Sequence, residues 1–436
     1  MEQNVTAVQS PLVDSAPATL LPNLDRIIRG LLYVYIFSLP FHLLLFVERN
    51  GFLILLALLT VWCLVHRRHF FRRTPVDMPL LALTGWVGIS LLGAASPAYS
   101  LHEFGKLLQQ GLLFYVVLHF FREEADRTKI LWVLLMSLAV ISLYGIWQFD
   151  VKPWFGENDP RGRAHHLIHS FFSAEVWLIA YLVTLIPLSA AMAVYASVRW
   201  QRMVAAFVAS VAIACLFLTF SRAGAFALSV EAVIFAILVR KKLVTGLVTG
   251  VITTVIVGGL MLTVVQRTEG INFVPGETKF TTYNLVARFK VWRLGAAKML
   301  ESPVIGHGYG KDAFYVLTEN DPNRIAANAE SVPMPTGLHN TFLDISVGAG
   351  IPAGLAYLWL MWTIGRAALE RFRRAENHLL QVWPLAIVMM VTGLFVRNSF
   401  DHMWIGTMAQ LFWVMVGLSL EPVPSRPHEI RTPRTG

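Results

Sequence analysis

Apolar stretches long enough to cross a bilayer recur along most of this chain, and that constrains its fold more than any other feature. A run of ~17–25 apolar residues covers the ~30 Å of bilayer hydrocarbon as a helix. A backbone in lipid must satisfy its own hydrogen bonds, so runs this long imply a helical bundle rather than a barrel. Composition agrees: 56% of the 436 residues are hydrophobic and only 14% charged, where a soluble chain carries about a quarter charged residues. The expected class is an all-α polytopic membrane protein. Its spans fall near 27–47, 51–66, 78–96, 103–121, 128–149, 173–196, 203–220, 224–240, 243–265, 341–365, 380–396 and 402–420. The stretch at 51–66 is short, and 103–121 contains Lys106 and two glutamines.

Loop charge tests this assignment. With the N-terminus inside, the connections at 66–73, 122–127, 199–202, 240–242 and 366–374 are cytoplasmic, and each compact cluster of Arg and Lys falls on that one side, as the positive-inside rule requires. Twelve spans then leave both termini cytoplasmic. The net charge of +9 is explained by these loops facing anionic lipid, so no nucleic-acid partner is expected. Residues 1–26 read as a disordered cytoplasmic tail without a basic leader, and 421–436 as a second tail. Between them lie spans one to nine (27–265), an outer loop with amphipathic helices (266–340), and spans ten to twelve (341–420). Cys63 and Cys215 sit inside apolar spans, and no Cys/His metal spacing exists. Neither GxxxxGK[ST] nor GxGxxG occurs, so ATP is not the evident energy source.

A loop as long as 266–340 inside a compact protein is more often functional than structureless. Long loops also escape the positive-inside rule, so its basic residues leave the topology intact. The outer face collects arginines. Arg222 stands in a minimal turn, Ser221-Arg222-Ala223-Gly224, where snorkelling to headgroups competes with function. Arg288 opens a segment whose residues 289, 292, 296, 299 and 300 share one helical face, the pattern of an amphipathic helix in the outer interface. Arg161 and Arg163 lie on the outer loop near 150–172, and Arg397 sits beside Asn398 at the outer end of span eleven, near Asp401 and His402. Arginine matches phosphate oxygens with a two-pronged hydrogen bond and keeps its proton, so a polyprenyl pyrophosphate at that depth would be suited by such residues. A proton relay would want carboxylates in mid-span, and almost none are evident. His339 precedes Asn340, an expected helix N-cap, with Asp344 in the first turn where negative charge suits the helix dipole. A histidine there is ordinarily structural, yet a neutral imidazole is also a suitable base near neutral pH. His307, His165, His166, His169 and His402 compete for that role.

Taken together, these segments resemble a known family. Ser221-Arg222-Ala223-Gly224, the Arg288 segment ending in Pro303-Val304-Ile305-Gly306-His307-Gly308, and His339-Asn340 followed by Gly348-Ala349-Gly350-Ile351-Pro352-Ala353-Gly354 look like the O-antigen ligase and polymerase superfamily. The match covers about 215–400. The resemblance implies a bundle related to the GT-C membrane glycosyltransferases, in the bacterial inner membrane with its active site on the periplasmic face. It implies transfer of O-antigen from undecaprenyl pyrophosphate to an outer-core sugar of lipid A-core, inverting, with no cofactor and no metal. His339 would then be the base and Arg222 and Arg288 the pyrophosphate ligands, with Arg161, Arg163 and Arg397 as further substrate contacts. Many GT-C enzymes carry an acidic metal motif on the first outer loop, near 48–51 here, where only Glu48 is acidic. Alternatives sharing the donor are an O-antigen polymerase and a protein O-oligosaccharyltransferase, the latter usually with a larger C-terminal region. A lipid-linked glycan flippase is the alternative of another class. Donor sugars, acceptor linkage and oligomeric state are not encoded legibly.

Overall fold

The computed structural model describes residues 20–41, 44–149, 168–219, 221–240, 280–328, 334–375, 378–402, 404 and 406–420. Among these, every regular element is helical. Eight helices come first: α1 (Leu20–Ser38), α2 (Leu45–His66), α3 (Asp77–Ser90), α4 (Pro97–Phe120), α5 (Glu124–Trp147), α6 (Glu175–Tyr195), α7 (Arg199–Leu218) and α8 (Arg222–Val239). Three follow in the expected outer loop: α9 (Phe280–Glu301), α10 (Ala313–Thr318) and α11 (Pro322–Asn328). The chain then runs through α12 (Thr341–Ala349), α13 (Ile351–Arg374), α14 (His378–Asn398) and α15 (Gly406–Ser419). The expected ninth span at 243–265 and the expected tails at 1–19 and 421–436 lie outside the described residues.

Six of these helices are long and apolar enough to cross a membrane: α2, α5, α6, α7, α8 and α14 from Leu380. Their outward faces carry side chains that water would reject, such as Leu53, Ile54 and Leu64 on α2 and Met203 and Phe207 on α7, and lipid accepts such a surface without cost. The protein is therefore a multi-pass membrane protein. α6 and α14 form the buried centre, packed on each other, with α7, α8 and α13 around them. The short stretch at 51–66 proves longer, because α2 begins at Leu45. Lys106, the residue that weakened the fourth stretch, is paired with Glu103 one turn away at 2.6 Å.

Two expectations need correction. The tenth stretch, 341–365, is two helices and not one. Gly350 takes a φ of +85°, a value at which side chains are strained, and Pro352 opens α13. In an unbroken helix the Gly348 carbonyl would take its hydrogen bond from residue 352, but proline has no N–H. The outer loop supplies the missing donors instead. Gly308 N–H reaches the Gly348 carbonyl at 2.8 Å, His307 N–H reaches Val347 at 3.1 Å, and the Ile351 N–H turns to the Pro303 carbonyl at 2.8 Å. Backbone thus meets backbone, which only glycines permit: a Cβ on Gly306 or Gly350 would overlap carbonyl groups of the opposite segment. The second correction concerns mid-span carboxylates. Glu231 in α8 is fully buried, seated against Gly393 of α14, with neither oxygen hydrogen-bonded among the described residues.

Gly350→Ala is expected to lower stability by about 2 kcal/mol or more, since it combines a strained φ with a backbone overlap. Thermal unfolding of the detergent-solubilised protein measures this, and wild-type melting would contradict the account of the helix break.

Candidate functional site

The outer loop reaches the site through α9. Its buried stripe is Ala287, Val291 and Leu294, spaced i, i+4, i+7, while Phe289 and Leu300 remain exposed. The face expected from the sequence is therefore split, with part of it turned away from the protein. Val291 and Leu294 pack with Phe314, Leu338 and Val347 in a small core separate from the main bundle. The indole N–H of Trp292 holds the Leu338 carbonyl at 2.8 Å. Arg324, almost wholly buried, donates to the Thr318 hydroxyl at 2.7 Å and the Pro335 carbonyl at 2.6 Å. The segment 334–338 is thus tied down at both ends before it delivers His339.

His339 itself adopts a φ of +50°, an unusual value for a non-glycine residue and one that marks a locally strained position. Asn340 then caps α12, its side-chain oxygen accepting the Leu343 N–H at 2.9 Å. The strained backbone turns the imidazole toward the 399–402 turn after α14. There Nδ1 meets Asp401 Oδ1 at 3.1 Å, while Arg397 donates to Asp401 Oδ2 at 3.2 Å. Arg397 is 4% exposed at its side chain and Asp401 15%, whereas His339 keeps 35%. Burial alone would raise the Asp401 pKa, but the hydrogen bond to His339 and the Arg397 charge outweigh it and bring it down to about 2. An ionised Asp401 only accepts, so His339 Nδ1 carries the proton of this hydrogen bond, and in the neutral ring the lone pair then lies on Nε2.

Arg288 donates to the carbonyl of Phe400, next to that carboxylate. Burial and the nearby Arg397 charge lean against its own charge, and Asp401 supports it. Arg222 begins α8, directly after the capping Ser221, whose hydroxyl accepts the Gly224 N–H at 3.1 Å. Phe226, one turn on and on the same side of α8, stands edge-on to the Phe400 ring at 6.4 Å. Arg288 and the start of α8 therefore converge on one residue of the turn that also holds Asp401. Arg161 and Arg163, with His165 and His166, lie outside the described residues. His307 is turned inward, its Nε2 on the Lys298 carbonyl at 2.8 Å, and His169 is engaged with the Phe172 carbonyl. Glu48 lies inside α2 and not on a loop, and accepts from the Gln410 amide at 2.6 Å. Among the described residues, no group of three or more His, Cys, Asp or Glu side chains is placed to hold a metal ion.

Residues 205–358 match the family model described as O-antigen ligase. That stretch is similar to the O-antigen ligase family. No curated protein matches the chain. The O-antigen ligase stretch includes Arg222, Arg288, His339 and Asp344, and ends before Arg397, Asp401 and His402. Of the last three, the sequence marks Arg397 as a candidate substrate contact and His402 as a candidate base, and Asp401 only as their neighbour. The partner of His339 lies 62 positions away, and no local spacing connects them. Arg324 gave no signal, because nothing in its sequence context distinguishes it from a surface arginine.

Because the folded protein depresses the Asp401 pKa, the carboxylate's stabilising effect is complete above the ordinary value of ~3.9 and drains away as pH falls through that value toward 2. Asp401→Asn is accordingly expected to melt below wild type near neutral pH. The gap should narrow as pH is taken from about 5 to about 2; a gap independent of pH would contradict the ionised state assigned here.

Proposed function

We propose that this protein is an O-antigen ligase of the bacterial inner membrane, joining a glycan from a lipid-linked pyrophosphate donor to a hydroxyl of lipid A-core on the periplasmic face. The observation that carries this reading is the reachable His339 imidazole, hydrogen-bonded through Nδ1 to a buried carboxylate in a turn that Arg397 of α14 and Arg288 of α9 both reach. The reading takes the chain to have twelve spans with both termini cytoplasmic, so that the turn faces outside, 266–340 is the periplasmic loop and 341–420 the last three spans.

In the proposed step, His339 Nε2 takes the proton from an acceptor hydroxyl as its oxygen forms a bond to the anomeric carbon of the donor sugar. The bond from that carbon to the pyrophosphate oxygen breaks on the opposite face, so configuration inverts, and the pyrophosphate leaves with the electron pair. Arg222 and Arg288 hold the departing charge, which a dry, preorganised cation does more effectively than water. Asp401 keeps His339 in the productive tautomer and stabilises the imidazolium as it forms. Arg397, itself almost buried on Asp401, acts through that carboxylate, which modifies its expected role as a direct substrate contact. Arginine charge at the leaving group is what supports a reaction without metal. Arg161 and Arg163 are proposed as further donor contacts on the sequence pattern alone.

A polymerase would use the same donor and the same base while growing the glycan on its own lipid. Glu231 is the one observation on the side of a proton-coupled transporter; against it stands the concentration of the other unusual charges at one end of the bundle.

The experiment is a detergent assay with purified protein, undecaprenyl-pyrophosphate-linked glycan, lipid A-core and excess EDTA. Glycan on lipid A-core is the expected result, and a donor glycan that lengthens on its own lipid would make the protein a polymerase. In the same assay His339→Ala should abolish transfer while donor binding persists. Arg222→Ala and Arg288→Ala should each raise the donor concentration required, and lysine at either position should rescue poorly if the contact is two-pronged. Normal turnover by His339→Ala would refute the mechanism.

A further inference from the structure

A second imidazole–carboxylate pair stands beside the first. His402 Nδ1 meets Asp344 Oδ2 at 2.7 Å, both side chains nearly buried. The pairs are joined at Asp401, whose Oδ1 accepts from the His402 backbone N–H at 3.0 Å as well as facing His339. Asp344 lies one turn into α12, the helix that starts directly after His339 and Asn340. Two weaker links run alongside: Thr341 hydroxyl to the Asp401 carbonyl at 3.2 Å, and Asn340 amide to the Ser399 carbonyl at 3.3 Å. Both are long for hydrogen bonds of their kind, whereas the His402–Asp344 contact is short. The other Asp344 oxygen is buried without a partner among the described residues, so His402 supplies the hydrogen bond that this carboxylate has. Removing the imidazole would strand a buried acceptor.

We propose that the Asp344–His402 pair is a positioning unit: it fixes the 399–402 turn against the start of α12, so that Asp401 meets His339 in register. The proposal rests on His339 being the base. In it His402 is a hydrogen-bond donor through Nδ1 and carries no proton to or from substrate. Two consequences separate that role from chemistry of its own. An asparagine amide can stand where Nδ1 stands, so His402→Asn should work where His402→Ala does not. And because the pair acts through Asp401, its loss should matter little once Asp401 is gone.

The test uses the purified full chain in the transfer assay, titrating the lipid-linked donor at saturating acceptor. His402→Ala is expected to lose about tenfold or more in kcat with the donor KM within about twofold of wild type, and His402→Asn to recover most of that loss. On an Asp401→Asn background, adding His402→Ala should cost less than about twofold further. If His402→Ala fails to melt cooperatively, His402→Asn and its double variant with Asp401→Asn carry the test. Two results would overturn the proposal: His402→Asn as impaired as His402→Ala with wild-type melting, or losses at 401 and 402 that multiply. Normal turnover by His339→Ala would instead remove the base assignment on which the proposal stands, so the two failures are told apart.

Discussion

A broken helix in a low-dielectric bundle must find partners for the backbone groups that the break exposes, and the architecture around the site follows from how this chain finds them. Pro352 denies the Gly348 carbonyl its helical donor, and the Ile351 N–H turns away to Pro303. The 303–308 segment answers with its own N–H groups, so the loop and the helix break are one hydrogen-bonded unit. Each such group left unpaired would cost several kcal/mol away from water. Glycines at 306, 348 and 350 are needed because the two backbones touch, and at 308 because a side chain there would meet Ala94 and Ser100. Docking the loop here brings α9 over the start of α12, and with it Trp292, Arg288 and the tied-down approach to His339.

On that frame the charges are arranged by depth. Asp401 is shared by an imidazole, a guanidinium and a backbone N–H, and its charge survives burial because each of these favours the ionised form. Removing one partner of so buried a pair commonly costs about 3–5 kcal/mol, since the other charge is left uncompensated; Arg397 therefore belongs to the foundation of the site more than to its surface. Arg288 reaches the same turn from the loop, and α8 leans on Phe400 from the bundle. The strain at His339 is consistent with a residue whose side chain must point into that turn at the expense of a relaxed backbone.

Glu231 remains apart from this scheme. It lies on the seam between α8 and α14, the helices that begin at Arg222 and end beside Arg397, and a glycine on the neighbouring helix makes room for it. The sequence pattern shows almost no carboxylates in mid-span, and Glu231 is the exception. One residue among many apolar neighbours does not change a hydropathy average, so periodicity and composition pass over it.

Much was legible in the chain itself. Apolar length gave the helical membrane class, and helices fall in the expected span ranges among the described residues, although the first ends at Ser38, short of 47, and the tenth is broken at Gly350. Asn340 announced a helix start and serves as its cap, because capping is a matter of one side chain and a neighbouring N–H; Ser221, legible only as part of a minimal turn, caps α8 in the same way. The residues at 222, 288 and 339 could be picked out because an outward arginine in a minimal turn, or a histidine before a capped helix, is unusual within a short window. What the sequence alone could not decide was which distant residues meet. That His339 faces Asp401, that Asp344 takes His402, that Arg324 holds Pro335, and that the tenth stretch opens to receive the loop all depend on how helices pack across the bundle. Local pattern fixes where a helix begins and which of its faces is apolar; the partner of a side chain is set by the close packing of elements far apart in the chain, and only the folded arrangement determines it.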